Sequence, residues 1–119
     1  MAGTIRTARI YDTAGPDDGV RVLVDRLWPR GLTKSAARLD HWMRDVAPST
    51  ELRRWYSHDS DRFAEFDTRY RAELAGPGSA EALAQLRKLA ADGTVTLLTS
   101  AKEVEISHVA VLVAMLRDQ

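Results

Sequence analysis

Two short apolar runs constrain the fold most. VRVLVDRL at residues 20–27 is β-branched and apolar, and TVTLLTS at 94–100 repeats the character. Both read as core strands, the first a central one. Pro29 and Gly31 stop the first run. Helix-periodic segments lie between the two strands, and one more follows the second. Strand, helices, strand, helix is the order of an α/β domain. The expected fold is α/β, a small, mostly parallel sheet with helices packed on its faces. Its 119 residues suit a single domain over 1–119.

A weaker strand, IRTARIY at 5–11, precedes the turn-rich AGPDDG at 14–19. That loop leaves open whether the first two strands form an antiparallel pair or lie further apart. Thr33 or Ser35 can cap a short helical turn. Leu39, Trp42, Met43 and Val46 fall at helical spacing and predict a helix ended by Pro48. Ser49 or Thr50 then caps ELRRWYS. The clearest amphipathic helix is 59–75, capped by Asp59 or Ser60. Phe63, Phe66, Tyr70 and Leu74 form one stripe, and Glu65 and Arg69 pair on another face. Ser79 is expected to cap the next helix, which buries Leu83, Leu86, Leu89 and Ala90 and ends at Gly93. The last segment, ISHVAVLVAMLRDQ, predicts a largely buried helix.

Net charge is zero, with 17 basic and 17 acidic residues. This argues against a general nucleic-acid coat. The charge is uneven, because residues 21–54 carry eight basic residues against four acidic ones. A local anion-binding face is therefore open, beside the plainer reading of a solvated, ion-paired surface. The absence of Cys excludes disulfides, thiol catalysis and Cys-ligated metals. No cofactor is indicated, and the three His have no metal-ligand spacing. The N-terminus lacks the apolar core of a signal peptide, and the longest apolar run, 109–116, is too short to span a bilayer. A cytoplasmic location and no membrane partner are the expectation. Walker loop, GxGxxG, GxSxG and HExxH motifs are missing.

Ligands of open α/β sheets bind beyond the carboxyl ends of the strands. Two strands here end in polar clusters. Asp25, Arg26, Trp28, Arg30 and Gly31 follow the first; Thr99, Ser100, Lys102 and Glu103 follow the second, with Ser107 and His108 just beyond. If the strands are parallel, both clusters share one edge. Arg26 and Arg30 offer planar forks for a phosphate or carboxylate, Lys102 a point charge, Ser100 a polar contact and Trp28 a stacking face. Asp25 can orient an Arg or serve as a general base. His58, beside Asp59, can serve in acid/base chemistry or in a hydrogen-bond network at the start of the following helix. His41, after Asp40 on the expected helix, reads as a surface or half-buried residue. One or two of Trp28, Trp42 and Trp55 are expected in the core, and Tyr56 and Tyr70 are expected to pack with hydroxyls satisfied at the surface.

Together, VRVLVDRLWPRGLTK, LDHWMRDVAPSTELRRWYSHD, FDTRYRAEL and VTLLTSAKE resemble the YeaO-like family, domain of unknown function 488, in the same order over most of the chain. The resemblance implies a small α/β protein of bacteria and archaea and supplies no reaction. It carries over to Asp25, Arg26, Trp28, Pro29, Arg30, Gly31, Ala47, Pro48, Ser49, Leu52, Trp55, His58, Asp59, Tyr70, Glu73, Leu74, Ala101 and Lys102. The end of the second core strand departs, with Thr99, Ser100 and Glu103 where Tyr, Ala and Asp are commoner, and Ser107 where Asn occurs.

Three readings follow as expectations. The cluster binds or processes a phosphorylated or nucleotide-like ligand, with Asp25 and His58 as the catalytic candidates. Alternatively it belongs to a non-catalytic module for a small anion or nucleic acid, or is only a structural ion-pair network. The sequence does not decide whether the protein is an enzyme, nor its oligomeric state.

Overall fold

The computed structural model describes residues 3–117. Four parallel strands, β1 (Ile5–Arg9), β2 (Val20–Leu23), β3 (His41–Trp42) and β4 (Val95–Thr99), form one sheet in the order β1-β4-β2-β3. The antiparallel alternative for the first two strands is therefore excluded. β4 inserts between them, pairing Ile5 with Val95 on one side and Val20 with Val95 on the other. Gly19 makes the turn into β2 with φ 63°, and a Cβ there would sit 2.1 Å from the Thr94 carbonyl oxygen. Only glycine fits both constraints.

The helices are α1 (Lys34–Ala37), α2 (Thr50–Tyr56), α3 (Phe63–Leu74), α4 (Pro77–Asp92) and α5 (His108–Arg117). Strand alternation sends Val22, Val24, Val95 and Leu97 to one face of the sheet, where residues of α2 to α5 cover them. Leu23 and Leu98 point to the other face and meet Ile10 and Ala37 in a smaller cluster. The two faces are thus unequally covered, four helices against one short helix and loops.

Several boundaries differ from expectation. Residues 39–46 are not a helix. His41 and Trp42 form β3 beside Val22 and Leu23, and Arg44–Val46 is a single 3-10 turn. Tertiary bonds override the helical spacing here: the Arg21 N–H donates to Asp40 at 2.8 Å, and the Met43 N–H donates to the Leu23 carbonyl at 2.9 Å. α4 starts at Pro77 after Gly76, so Ser79 lies inside the helix and does not cap it. Proline at the first position explains this, since its missing N–H costs nothing there. Thr33 caps α1 and Ser49 caps α2, as expected, and Asp59 caps the 3-10 turn that leads into α3. None of the three tryptophans is fully buried. Tyr56 and Tyr70 do pack inside, but their hydroxyls are satisfied there, by the carbonyls of Ile106 and Val46, and not at the surface. Among the described residues no helix is long and apolar enough to cross a membrane. The final Asp118 and Gln119 of the expected last helix lie outside the described residues.

Candidate functional site

Parallel pairing brings the carboxyl ends of β1, β4 and β2 to one edge. A cleft of about 750 Å³ opens there, and Asp25, Arg26, Trp28, Arg30, His58, Ser100 and Lys102 all line it. The structure thus brings these candidates together, whereas Gly31 and Glu103 of the two strand-end clusters do not line the cleft. It adds Arg9 and Tyr11 from the end of β1 and Arg53 and Arg54 from α2, and it places the Ser107 and His108 of the second cluster on the same wall.

Asp25 holds the strand ends together. Its Oδ1 accepts from the Thr99 hydroxyl at 2.7 Å, and its Oδ2 accepts from the Ser100 N–H at 2.8 Å and the Ser100 hydroxyl at 2.9 Å. His108 Nε2 lies 3.3 Å from Oδ1. Burial raises the Asp25 pKa, but the His108 hydrogen bond and charge, with the Ser100 and Thr99 bonds, outweigh it and hold the carboxyl below its ordinary value. The Thr99 and Ser100 hydroxyls are both spent on Asp25.

The lip from 26 to 31 is anchored along its length. Arg26 donates from Nε to the Pro48 carbonyl at 3.2 Å and from Nη2 to the Ala47 carbonyl at 3.1 Å. Trp28 Nε1 donates to the Leu32 carbonyl at 2.6 Å, and its ring stands edge-on to Trp42 at 5.2 Å. Trp42 Nε1 donates to the Asp25 carbonyl at 2.7 Å. Gly31 closes the lip at φ 72°, where a Cβ would meet nothing, so backbone conformation alone calls for glycine.

The opposite wall is equally fixed. Glu73 on α3 accepts the Ser49 N–H at 2.8 Å and the Ser49 hydroxyl at 2.6 Å, while Ser49 Oγ accepts the Leu52 N–H. This clamps the first turn of α2, which presents Arg53 and Arg54. Beneath them Tyr56 stacks on Phe66 at 4.3 Å, and Phe66 on Tyr70 at 5.5 Å. Ser57 and His58 then both adopt left-handed backbone, φ 48° and 55°. Two such non-glycine residues in succession are uncommon. His58 is exposed at the rim, its ring 6.1 Å from Tyr56.

The electrostatics are lopsided. Six cations line the cleft (Arg9, Arg26, Arg30, Arg53, Arg54 and Lys102) against one carboxylate, Asp25. Arg9 spends its guanidinium on the Ala101 and Ser100 carbonyls at 3.1 and 3.3 Å. Arg30, Arg53, Arg54 and Lys102 are exposed, and their charged groups have no partner among the described residues. No cluster of three or more metal-ligating side chains occurs among the described residues.

Nothing local in the sequence marks Arg9, Tyr11, Arg53 and Arg54 as site residues. The signal was the excess of basic residues in 21–54, which includes Arg53 and Arg54. Arg9 and Tyr11 needed the β1–β4 pairing.

A family model described as "Inactive DUF488-N3 subclade" matches residues 4–119. The chain is 50% identical over 112 residues to uncharacterized proteins of Mycobacterium tuberculosis and Mycobacterium bovis, covering 94% of this chain and 92% of each of them. It is 42% identical over 113 residues to the uncharacterized protein YeaO of Escherichia coli, covering 95% and 96% of the two chains. No solved structure matches.

Proposed function

This chain belongs to the YeaO-like family, domain of unknown function 488, and we propose that its cleft binds a phosphorylated or nucleotide-like anion without turning it over. The observation that carries this reading is the set of free cations, Arg30, Arg53, Arg54 and Lys102, on one wall system of a net-neutral chain. Unpaired cations at the carboxyl edge of a parallel sheet suit a multiply charged anion. Trp28 and the half-exposed Tyr11 offer faces for a ring.

Each site residue has a part in this reading. Arg30 and Lys102 hold the anion directly. Arg26 gives two of its three nitrogens to carbonyls and leaves Nη1 for the ligand. Ser100 acts through Asp25. Asp25 itself is an anchor and not a general base, because both its oxygens accept bonds and a depressed pKa makes a weak base. His58 is a contact at the rim. The word "Inactive" in the matching family description supports binding over turnover.

A thermal-shift panel of nucleotides, sugar phosphates and inorganic sulfate tests this. A ligand that binds only the folded state at a hundred times its Kd adds about 2.7 kcal/mol. The expected result is a raised Tm for the wild type with at least one member. Arg30→Ala should abolish that shift while its unliganded Tm stays nearly unchanged. No shift with any member, or an undiminished shift in Arg30→Ala, would contradict the proposal. A long nucleic acid as the real ligand would instead show affinity that falls steeply with salt and scales with strand length.

A further inference from the structure

We propose that the cleft selects an anion with an apolar body, a phosphate monoester of an aryl or branched alkyl group, and that Leu27 and Tyr11 are the residues that select it. The inference rests on the reading of the cleft as an anion site and narrows what that anion carries. Among the described residues, Leu27 and Tyr11 are the large hydrophobic side chains left exposed, at 62% and 44%. Single exposed apolar residues are ordinary on a protein surface. Here both line one cleft, the same one that Arg30, Arg53, Arg54 and Lys102 line. An apolar pair set among unpaired cations matches a ligand with one charged end and one apolar end.

The lip holds Leu27 in this exposed place. On one side of it Arg26 is tied to the Ala47 and Pro48 carbonyls. On the other, Trp28 donates to the Leu32 carbonyl and packs on the smaller core cluster, and Pro29 is buried. With both neighbours fixed, Leu27 stays at the surface. Tyr11 is fixed as well. Its hydroxyl donates to the Arg30 carbonyl at 3.0 Å, and the Arg9 guanidinium carbon stands 5.2 Å from its ring centroid. The apolar wall is set before a ligand arrives, so little ordering is lost on binding.

The polar groups narrow the ligand further. A site that selects hydroxyl groups keeps hydrogen-bonding partners free for them. Of the seven side-chain hydroxyls on this wall, five give their hydrogen to the protein. Tyr11, Tyr56 and Ser107 donate to carbonyls, and Thr99 and Ser100 donate to Asp25. Asp25 is the one carboxylate on the wall, and both its oxygens already accept bonds. The groups left free are arginine and lysine, which only donate. They suit phosphate oxygens. Leu27 and Tyr11 suit carbon. A polyhydroxyl ester would find no free carboxylate for its hydroxyls.

Calorimetric titration at low salt compares naphthyl phosphate, glycerol phosphate and inorganic phosphate. The wild type is expected to bind naphthyl phosphate about tenfold more tightly than glycerol phosphate, the lower end of what one methylene supplies in an apolar pocket. Leu27→Ser changes an exposed position and should fold normally. It should bind the two esters within about twofold of each other, having lost the apolar contact. Leu27→Met should keep the preference. Nuclear Overhauser contacts between the naphthyl protons and the Leu27 methyls of the wild type give the same answer without a variant. Equal affinity for the two esters in the wild type, or a preference that survives in Leu27→Ser, overturns this inference alone. A wild-type dimer that Leu27→Ser dissociates assigns the apolar wall to a second copy and likewise overturns it. No binding of any of the three anions overturns the anion reading and this inference with it.

Discussion

At the amino end of β2, Arg21 is 7% exposed and all three of its guanidinium nitrogens are used. Nε donates to the Arg38 carbonyl at 3.1 Å, Nη2 to the Ala37 carbonyl at 3.1 Å, and Nη1 to Asp18 at 2.5 Å. Asp18 in turn accepts the Gly15 N–H at 3.0 Å. At the carboxyl end of the same strand, Asp25 is just as saturated, but four of the six nearby cations are exposed and unpaired among the described residues. The two ends use the same residue types for different ends. The first is a closed lattice that holds the Arg38 turn and the 15–18 loop to the sheet. The second holds its own carboxylate closed and leaves its cations open. A structural ion-pair network consumes its charges, whereas a binding surface keeps some in reserve.

Substitutions separate the two ends. Arg21→Ala should have the largest effect on folding, about 3 kcal/mol lost in urea denaturation, because it leaves Asp18 buried without its partner. Anion binding by the folded fraction should persist. Asp25→Ala should cost about 2 kcal/mol, since the Thr99 hydroxyl and the Ser100 N–H and hydroxyl lose their acceptor. It should also flatten the acid limb of stability. Both Asp25 and Asp18 titrate below the ordinary value of 3.8 in the folded protein. For Asp18 the causes are the Gly15 N–H, which outweighs the opposing effect of burial, and then Arg21 and Arg6. On acidification the unfolded chain binds these protons first. The stability they supply is therefore whole above about pH 4 and is lost as the pH falls through the folded values. Urea midpoints from about pH 5 to about pH 2 should fall for the wild type and fall less for Asp25→Ala. Arg30→Ala should have the smallest effect on folding, within about 0.5 kcal/mol, as for an exposed residue with no partner.

Much of this arrangement was legible in the sequence for a physical reason. VRVLV and VTLLT are strands whose apolar residues decide their burial, and turn chemistry fixes where they end. The polar residues after each strand then had to gather at one edge once the strands ran parallel. β3 was illegible because it has two residues, too few to show a period of two. Its place comes from contacts with β2 that are distant in sequence, Trp42 to the Asp25 carbonyl and Asp40 to the Arg21 N–H. The same distance hid Arg9 and Tyr11, because nothing local in IRTARIY says which neighbour it pairs with. The engagement of Arg26 with the carbonyls of Ala47 and Pro48 was hidden too. An arginine reads the same in sequence whether its fork holds a ligand or the chain itself.

The most direct measurement is an NMR titration that follows the arginine side-chain Nε–H signals as ADP is added. The expected result is movement of Arg30, Arg53 and Arg54, with the Arg21 signal unmoved at saturation. Movement of Arg21 with the lip arginines silent, or no response from any of them, would contradict the claim that the carboxyl edge alone keeps its cations free for an anion.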